Sequence, residues 1–274
     1  MNHLPVNRLL AICCLLLLTG LPFGCSEFAR ILEEHCCVTE KANFVKAQNA
    51  YNVAAGLAGA KAIVFNMAAG NVGTTATAWA TATIALVNNT GNVAAFNTAR
   101  DKYNAAAAAY NSSLGPLRTA LADKYAKQQT KNSAEAVLFA CSLTCPADLT
   151  CCRGEKNADK IAALAADLAT NKVDDETALI AAISGAQTAA DEAHKTLQRF
   201  NNQSCPFANA TPNCVTSRFT ATTLEIAARE LLRQLNNELD IILPRLLDQS
   251  KAANTEKNKV STALILCQQA NNCQ

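Results

Sequence analysis

Apolar side chains recur with the period of an α-helix along most of the chain. In the C-terminal third they return every three or four residues while charged side chains take other positions, at Leu224, Ala228, Leu231, Leu235, Leu239, Ile242 and Leu246. Two shorter stripes of the same kind are Ile161, Leu164 and Leu168, and Leu179, Ile183, Ala186, Ala190 and Leu197. This spacing is typical of helices that bury one face against neighbouring helices. The alanines on the stripes favour close helix approach and a slender bundle.

Clusters of glycine, proline and asparagine predict where the helices end. We expect breaks at residues 70–73, 88–92, 115–116, 141–157, 171–174 and 204–217. Pro244 is expected to kink the last helix because it lacks a backbone N–H. Asp174 and Asp175 fit an N-terminal cap, where carboxylates accept hydrogen bonds from free backbone N–H groups. The predicted fold class is all-α: an elongated, disulfide-stapled helical bundle with long antiparallel helices.

The first 25 residues have the pattern of an export signal. A basic residue precedes an apolar run at residues 9–18, and helix breakers follow the run. Because a membrane span needs about 20 apolar residues, removal of this segment is expected. Gly24 directly before Cys25 resembles the end of a bacterial lipoprotein signal, and that resemblance implies a lipid-anchored Cys25. Ordinary cleavage after Ser26 is the alternative.

The cysteines predict disulfides. Of 13 cysteines, Cys13, Cys14 and Cys25 belong to the signal, and ten remain: Cys36, Cys37, Cys141, Cys145, Cys151, Cys152, Cys205, Cys214, Cys267 and Cys273. An even number in an exported chain favours five disulfides, although the sequence leaves their connectivity open. We expect Cys205 to pair with Cys214, Cys267 with Cys273, and Cys36 and Cys37 with the cluster at 141–152. Bonds within an adjacent pair are disfavoured by backbone strain.

Candidate chemistry beyond disulfides is sparse. Glu33, Glu34 and His35 next to Cys36 are capable metal ligands, but no C-x-x-C pair accompanies them. The chain has none of the common nucleophile-elbow, phosphate-loop, dinucleotide-binding or zinc-protease motifs. His194 lies at the edge of an apolar stripe, which favours a packed histidine over a catalytic one. We therefore predict no cofactor and no catalytic or metal-binding residues, and keep a metal- or thiol-dependent enzyme as an alternative.

The most distinctive segment carries no charge from residue 62 to residue 99. It fits a buried helical hairpin, an exposed apolar tip that docks on a partner or enters a membrane, or a threonine-lined surface for an ordered ligand. In the second interpretation Gly70 and Gly73 form a turn, and the candidate contact residues are Phe65, Met67, Trp79 and Ile84. That arrangement resembles the hydrophobic hairpins of helical pore-forming toxins, which implies membrane insertion through residues 62–87.

Composition narrows the function without identifying it. The chain has 24 basic and 22 acidic residues, so it lacks the positive field that a nucleic-acid partner requires. The predicted organisation is a signal at 1–25, a helical region at 26–140, a cysteine-rich connector at 141–157 and a second helical region at 158–274. We expect a non-enzymatic interaction protein that is periplasmic, lipid-anchored at the cell surface or secreted. Its partner would be an unidentified protein or a membrane surface.

Overall fold

The computed structural model describes residues 36–144, 151–205 and 211–271. The helices are α1 (Val38–Val87), α2 (Val93–Ser142), α3 (Arg153–Ser204), α4 (Pro212–Asn237) and α5 (Leu243–Ala270), with a π-helical turn at Glu238–Ile242. No strand occurs in these three ranges. The predicted all-α fold with long helices is confirmed. Helices α1 and α2 have 50 residues each, which corresponds to about 75 Å at the α-helical rise.

Helices α1, α2, α3 and α4 run antiparallel in succession, and α5 continues from α4 through the π turn in the same direction. Trp79 of α1 packs against Tyr103 of α2, with 5.2 Å between ring centroids, and Asn132 of α2 donates a hydrogen bond to the carbonyl of Leu164 in α3. Helix α3 packs against all four other helices. We call the end with Cys37 and Cys152 the base, and the end with loop 88–92 the apex.

The apolar core fills the apical half of the bundle. Its largest fully buried apolar side chains are Phe65, Trp79, Ile183, Leu197 and Leu224. Phe65 and Trp79 come from α1, Ile183 and Leu197 from α3, and Leu224 from α4. Helix α5 has no buried residue. The basal half is therefore held by helix pairs, polar contacts and disulfides rather than by a four-helix core.

Three predicted breaks are wrong. Helix α1 runs through Gly70 and Gly73, α2 runs through Pro116, and α3 runs through residues 171–174. A glycine costs only about 1 kcal/mol in a helix interior, less than the packing of a long helix supplies. Leu117, which follows the proline, is 3% exposed. The breaks at 88–92, 141–157 and 204–217 are confirmed, because one helix gives way to the next at each of these ranges.

Asp174 and Asp175 do not cap a helix. They lie in the middle of α3, where Asp175 accepts hydrogen bonds from Lys124 and Tyr125 of α2. A carboxylate that accepts hydrogen bonds from two side chains of a neighbouring helix does not need the free backbone N–H groups of a helix terminus. Asp175 therefore joins α2 to α3 instead of starting a helix.

A π turn interrupts the last long helical segment directly before Pro244, the residue at which the sequence predicts a kink. The turn spans Glu238–Ile242 and ends directly before Leu243 and Pro244. A π turn accommodates an extra residue and shifts the helical register. The apolar stripe is therefore buried only as far as Leu235, because the next leucine of the stripe, Leu239, is 40% exposed. The buried position that follows Leu235 is taken by Glu238, which is 3% exposed.

Candidate functional site

Three disulfides join helix ends within the described chain. They connect Cys37 with Cys141, Cys152 with Cys267, and Cys205 with Cys214, with Cα–Cα distances of 5.9, 5.8 and 5.6 Å. Cys36 and Cys151 are disulfide-bonded as well. The predicted pairing of Cys205 with Cys214 is confirmed, and so is the reach of Cys37 to the cluster at 141–152.

The predicted bond between Cys267 and Cys273 is wrong. Cys267 pairs with Cys152, because α3 and α5 run antiparallel and bring their basal ends together. Cys145 and Cys273 lie outside the described residues, as do the signal at 1–25, Cys25 and residues 33–35.

Both adjacent cysteine pairs adopt the same conformation at a helix start. Cys37 and Cys152 have left-handed backbones, each with φ of 59°, directly before α1 and α3. A non-glycine residue costs about 1–2 kcal/mol in this conformation, and each of these two is held by its disulfide. The bundle thus consists of two hairpins that are closed at the base in the same way.

Within the described residues, two groups of side chains have their ligand atoms close enough together to resemble metal sites, and both groups contain cysteines. One group is Cys36, Cys37 and Cys141, and the other is Cys152, Glu155 and Cys267. Their Cys37–Cys141 and Cys152–Cys267 pairs are disulfides. Sulfur in a disulfide lacks the thiolate charge that a metal ion requires.

The uncharged segment has a buried face. Phe65 lies 5.3 Å from Tyr110 and Trp79 lies 5.2 Å from Tyr103, measured between ring centroids. Phe65 and Trp79 are 0% and 1% exposed. These two candidate contact residues are therefore part of the core, and reaching a partner would require the bundle to open.

The opposite side of α1 is apolar and exposed. We define the outer face of α1 as Val53, Leu57, Ile63, Val64 and Met67, which are 50–74% exposed. Lys61 is the only charged residue between Lys46 and Arg100. Met67, a candidate contact residue, lies on this face, whereas Ile84 is half-buried.

Helix α1 is also long and apolar enough to cross a membrane by length and composition. Its most apolar window has a mean hydropathy of 1.4, and 28% of that window is buried. Buried core helices and export signals share these properties, so the hydropathy alone carries little weight.

Charged side chains meet inside the bundle at the π turn. Arg118 of α2 forms an ion pair with Glu238, and the carboxyl group of Glu176 in α3, which is 7% exposed, lies beside that of Glu238. Burial, followed by the adjacent carboxyl group of Glu238 and its charge, raises the pKa of Glu176 to about 7, and the positive charge of Arg118 opposes this rise. Glu176 therefore keeps its proton to a higher pH than an exposed glutamate does.

A second polar group lies next to this one. Lys124 Nζ is 2.5 Å from Asp175 Oδ2, and the Tyr125 hydroxyl donates to the same oxygen. Burial and the neighbouring Asp175 raise the pKa of Tyr125 far above its usual value. Lys172 Nζ lies 5.5 Å from the centroid of the Tyr125 ring.

The sequence contained one signal for this charged cluster. Glu238 is four residues before Ile242, on an apolar helical stripe, and an acidic residue at a core position requires a buried partner. Its partners Arg118 and Glu176 come from two other helices, so their identity depends on the packing.

His194 is a structural residue of the α3–α4 contact. It is 8% exposed, and its Nδ1 lies 2.8 Å from the carbonyl oxygen of Ala221 in α4. A cleft of about 580 Å³ opens beside it, with Asn201 and Arg218 in its wall. Asn201 is hydrogen-bonded to Ser217, and Arg218 donates to the Cys205 carbonyl. These contacts tie the cleft to the apical disulfide.

The chain matches no known protein-family model, no curated protein and no solved structure. Its function therefore has to be inferred from its own residues.

Proposed function

We propose that this chain is an exported, non-enzymatic interaction protein that binds the apolar surface of a partner protein through the outer face of α1. The supporting observation is the row of half to three-quarters exposed Val, Leu, Ile and Met side chains on one helix face. A contiguous patch of exposed apolar side chains on a folded protein marks an interaction site.

The cysteines support the exported part of the proposal. Their pairs lie at disulfide distance at both the base and the apex, and such bonds persist in oxidising compartments. A periplasmic, lipid-anchored or secreted protein fits this chemistry. The intact mass of the mature protein distinguishes lipidation at Cys25 from ordinary cleavage after Ser26.

The energetics of the outer face favour binding. Fully burying one such side chain contributes about 1.5–3 kcal/mol, so a partner that covers several of them gains enough to offset the cost of association. The scarcity of charge along α1 removes the desolvation cost that charged side chains would add.

The proposal is tested by site-specific crosslinking in the cells that make the protein. A photoreactive amino acid replaces Val64 on the outer face, and the matched control replaces Asn258, an exposed polar residue of α5. We expect a defined crosslinked partner from position 64 that disappears with Leu57→Asp, and no such product from position 258. Identical products from both positions, or a reduced protein in the cytosol, would contradict the proposal.

Membrane contact is the second candidate, because α1 meets the hydropathy criterion for a span. Met67→Asp tests it at an exposed position, whereas a charge at Trp79 would disrupt the core before reaching any membrane. Co-sedimentation with phosphatidylcholine–phosphatidylglycerol vesicles that is lost in Met67→Asp and retained in Val137→Asp would favour this candidate. Val137 is a suitable control because it is 58% exposed on α2. Absence of vesicle binding by the wild type would exclude it.

A further inference from the structure

A cavity of about 400 Å³ opens below the π turn, between α2, α3 and α5. Leu121, Leu179, Ile242 and Leu246 supply apolar side chains to its wall. The register shift at the π turn takes α5 out of the core, which leaves this space unfilled. Its size and apolar lining are typical of small-molecule sites, which combine an apolar wall with a few polar groups.

Half of the polar side chains that line the cavity are cationic. Arg118, Lys172 and Arg245 all line it. Arg118 is paired with Glu238, while the exposed Arg245 forms no ion pair within the described chain. The two remaining positive side chains, Lys172 and Arg245, lie beside an apolar wall and favour a ligand that carries a negative charge on an apolar body.

One buried acidic group also lines the cavity. Glu176 is 7% exposed, and its Oε1 has no hydrogen-bond partner among the donors of the described residues. Because its pKa is raised to about 7, Glu176 is largely protonated in mildly acidic solution and adds little negative charge there. A protonated carboxyl group can donate a hydrogen bond to an anionic oxygen.

We propose that this cavity is a binding site for a small amphipathic organic anion, such as a medium-chain carboxylate. Its apolar chain lies against the leucines and Ile242, and its charged group lies near Lys172 and Arg245. The site is formed by α2, α3 and α5, so it is independent of the outer face of α1, and either proposal can fail without the other.

The test is titration calorimetry of the full mature protein with decanoate below its micellar concentration. Acetate provides the same charge without the chain, and decyltrimethylammonium provides the same chain with the opposite charge. We expect saturable binding of decanoate and none of either control. Equal binding of decyltrimethylammonium would show that apolar surface alone is responsible and would overturn the proposal.

Variants then locate the site. Lys172→Gln combined with Arg245→Gln should weaken decanoate binding about tenfold or more, because two charge-assisted contacts are lost. Lys102→Gln, an exposed lysine of α2 remote from the cavity, is the matched control and should bind as the wild type does. Ala122→Trp places a large side chain at the exposed rim of the cavity and should block binding.

Helical content and thermal unfolding are measured for each variant, so that a folding defect is recognised. If the folded Lys172→Gln/Arg245→Gln and Ala122→Trp variants bind decanoate like the wild type, the site lies elsewhere and the proposal is wrong. The same conclusion follows if Lys102→Gln weakens binding as much as the cavity variants do.

Discussion

Gly73 lies where α1 and α3 approach each other closely, and adding a methyl group there should destabilise the bundle. A Cβ atom at Gly73 would lie 2.6 Å from the Cβ atom of Ala189. Non-bonded carbon atoms pack at about 3.5–4.0 Å. The two helices must therefore separate by about 1 Å, or their contact must rearrange. Gly70, one turn earlier on the same helix, has nothing within 4 Å of its added Cβ atom and is the matched control.

The two variants should differ in their free energy of unfolding. Gly→Ala in a helix contributes about 1 kcal/mol of stability through helix propensity, and Gly70→Ala should gain up to this amount. Gly73→Ala gains the same contribution but incurs an overpacking cost of about 1–3 kcal/mol. We therefore expect Gly73→Ala to be less stable than Gly70→Ala by about 1–3 kcal/mol.

The measurement is urea unfolding followed by far-ultraviolet circular dichroism, with disulfides intact. A second variant removes the opposing methyl group: Gly73→Ala combined with Ala189→Gly should recover the overpacking cost and show a coupling energy of about 1–3 kcal/mol. Equal stability of the Gly70 and Gly73 variants, or no coupling between residues 73 and 189, would refute the close helix approach.

Three further predictions concern the disulfides and the buried carboxyl group. Removing the Cys152–Cys267 bond, which closes a loop of 115 residues, should lower the free energy of unfolding by about 2 kcal/mol more than removing the Cys205–Cys214 bond, which closes a loop of 9. The difference follows from the loop-entropy relation. Equal losses in the urea unfolding of the two paired Cys→Ser variants would contradict it. Unfolding free energy should fall as the pH rises from about 4.5 to about 7, because the folded state keeps the Glu176 proton that the unfolded state releases. Glu176→Gln should remove this part of the pH profile, and an unchanged profile in that variant would show that Glu176 is not protonated in the fold. Alkylation of the native mature protein should label none of its ten cysteines, and peptide mapping of any labelled thiol would identify the broken bond.

Local patterns predicted much of the helical architecture. Leu224 and Leu235 are buried at the positions that the helical period indicates, and the pairing of Cys205 with Cys214 follows from the short proline-containing loop between them. Predictions failed where a local signal competed with packing. Gly70 and Gly73 resemble a turn, but their helix cost is small beside the contacts that a continuous α1 makes with α2 and α3.

The candidate sites depended more strongly on packing. The sequence singled out the uncharged segment, but the helix register assigned Phe65 and Trp79 to the core and Met67 to the surface. The cavity at the π turn combines Arg118 and Glu176 from helices far apart in the chain with residues that follow Glu238. No spacing along the sequence relates these residues to one another.

The amino-acid sequence alone determined that this protein is helical, that its helices are long and that its cysteines favour an oxidising compartment, because period, propensity and cysteine number are properties of the chain. The tertiary structure decided which face of each helix is buried, that Cys267 pairs with Cys152, and where a cavity opens. These features depend on distances between helices, which are set by how closely side chains such as Gly73 and Ala189 allow the helices to approach.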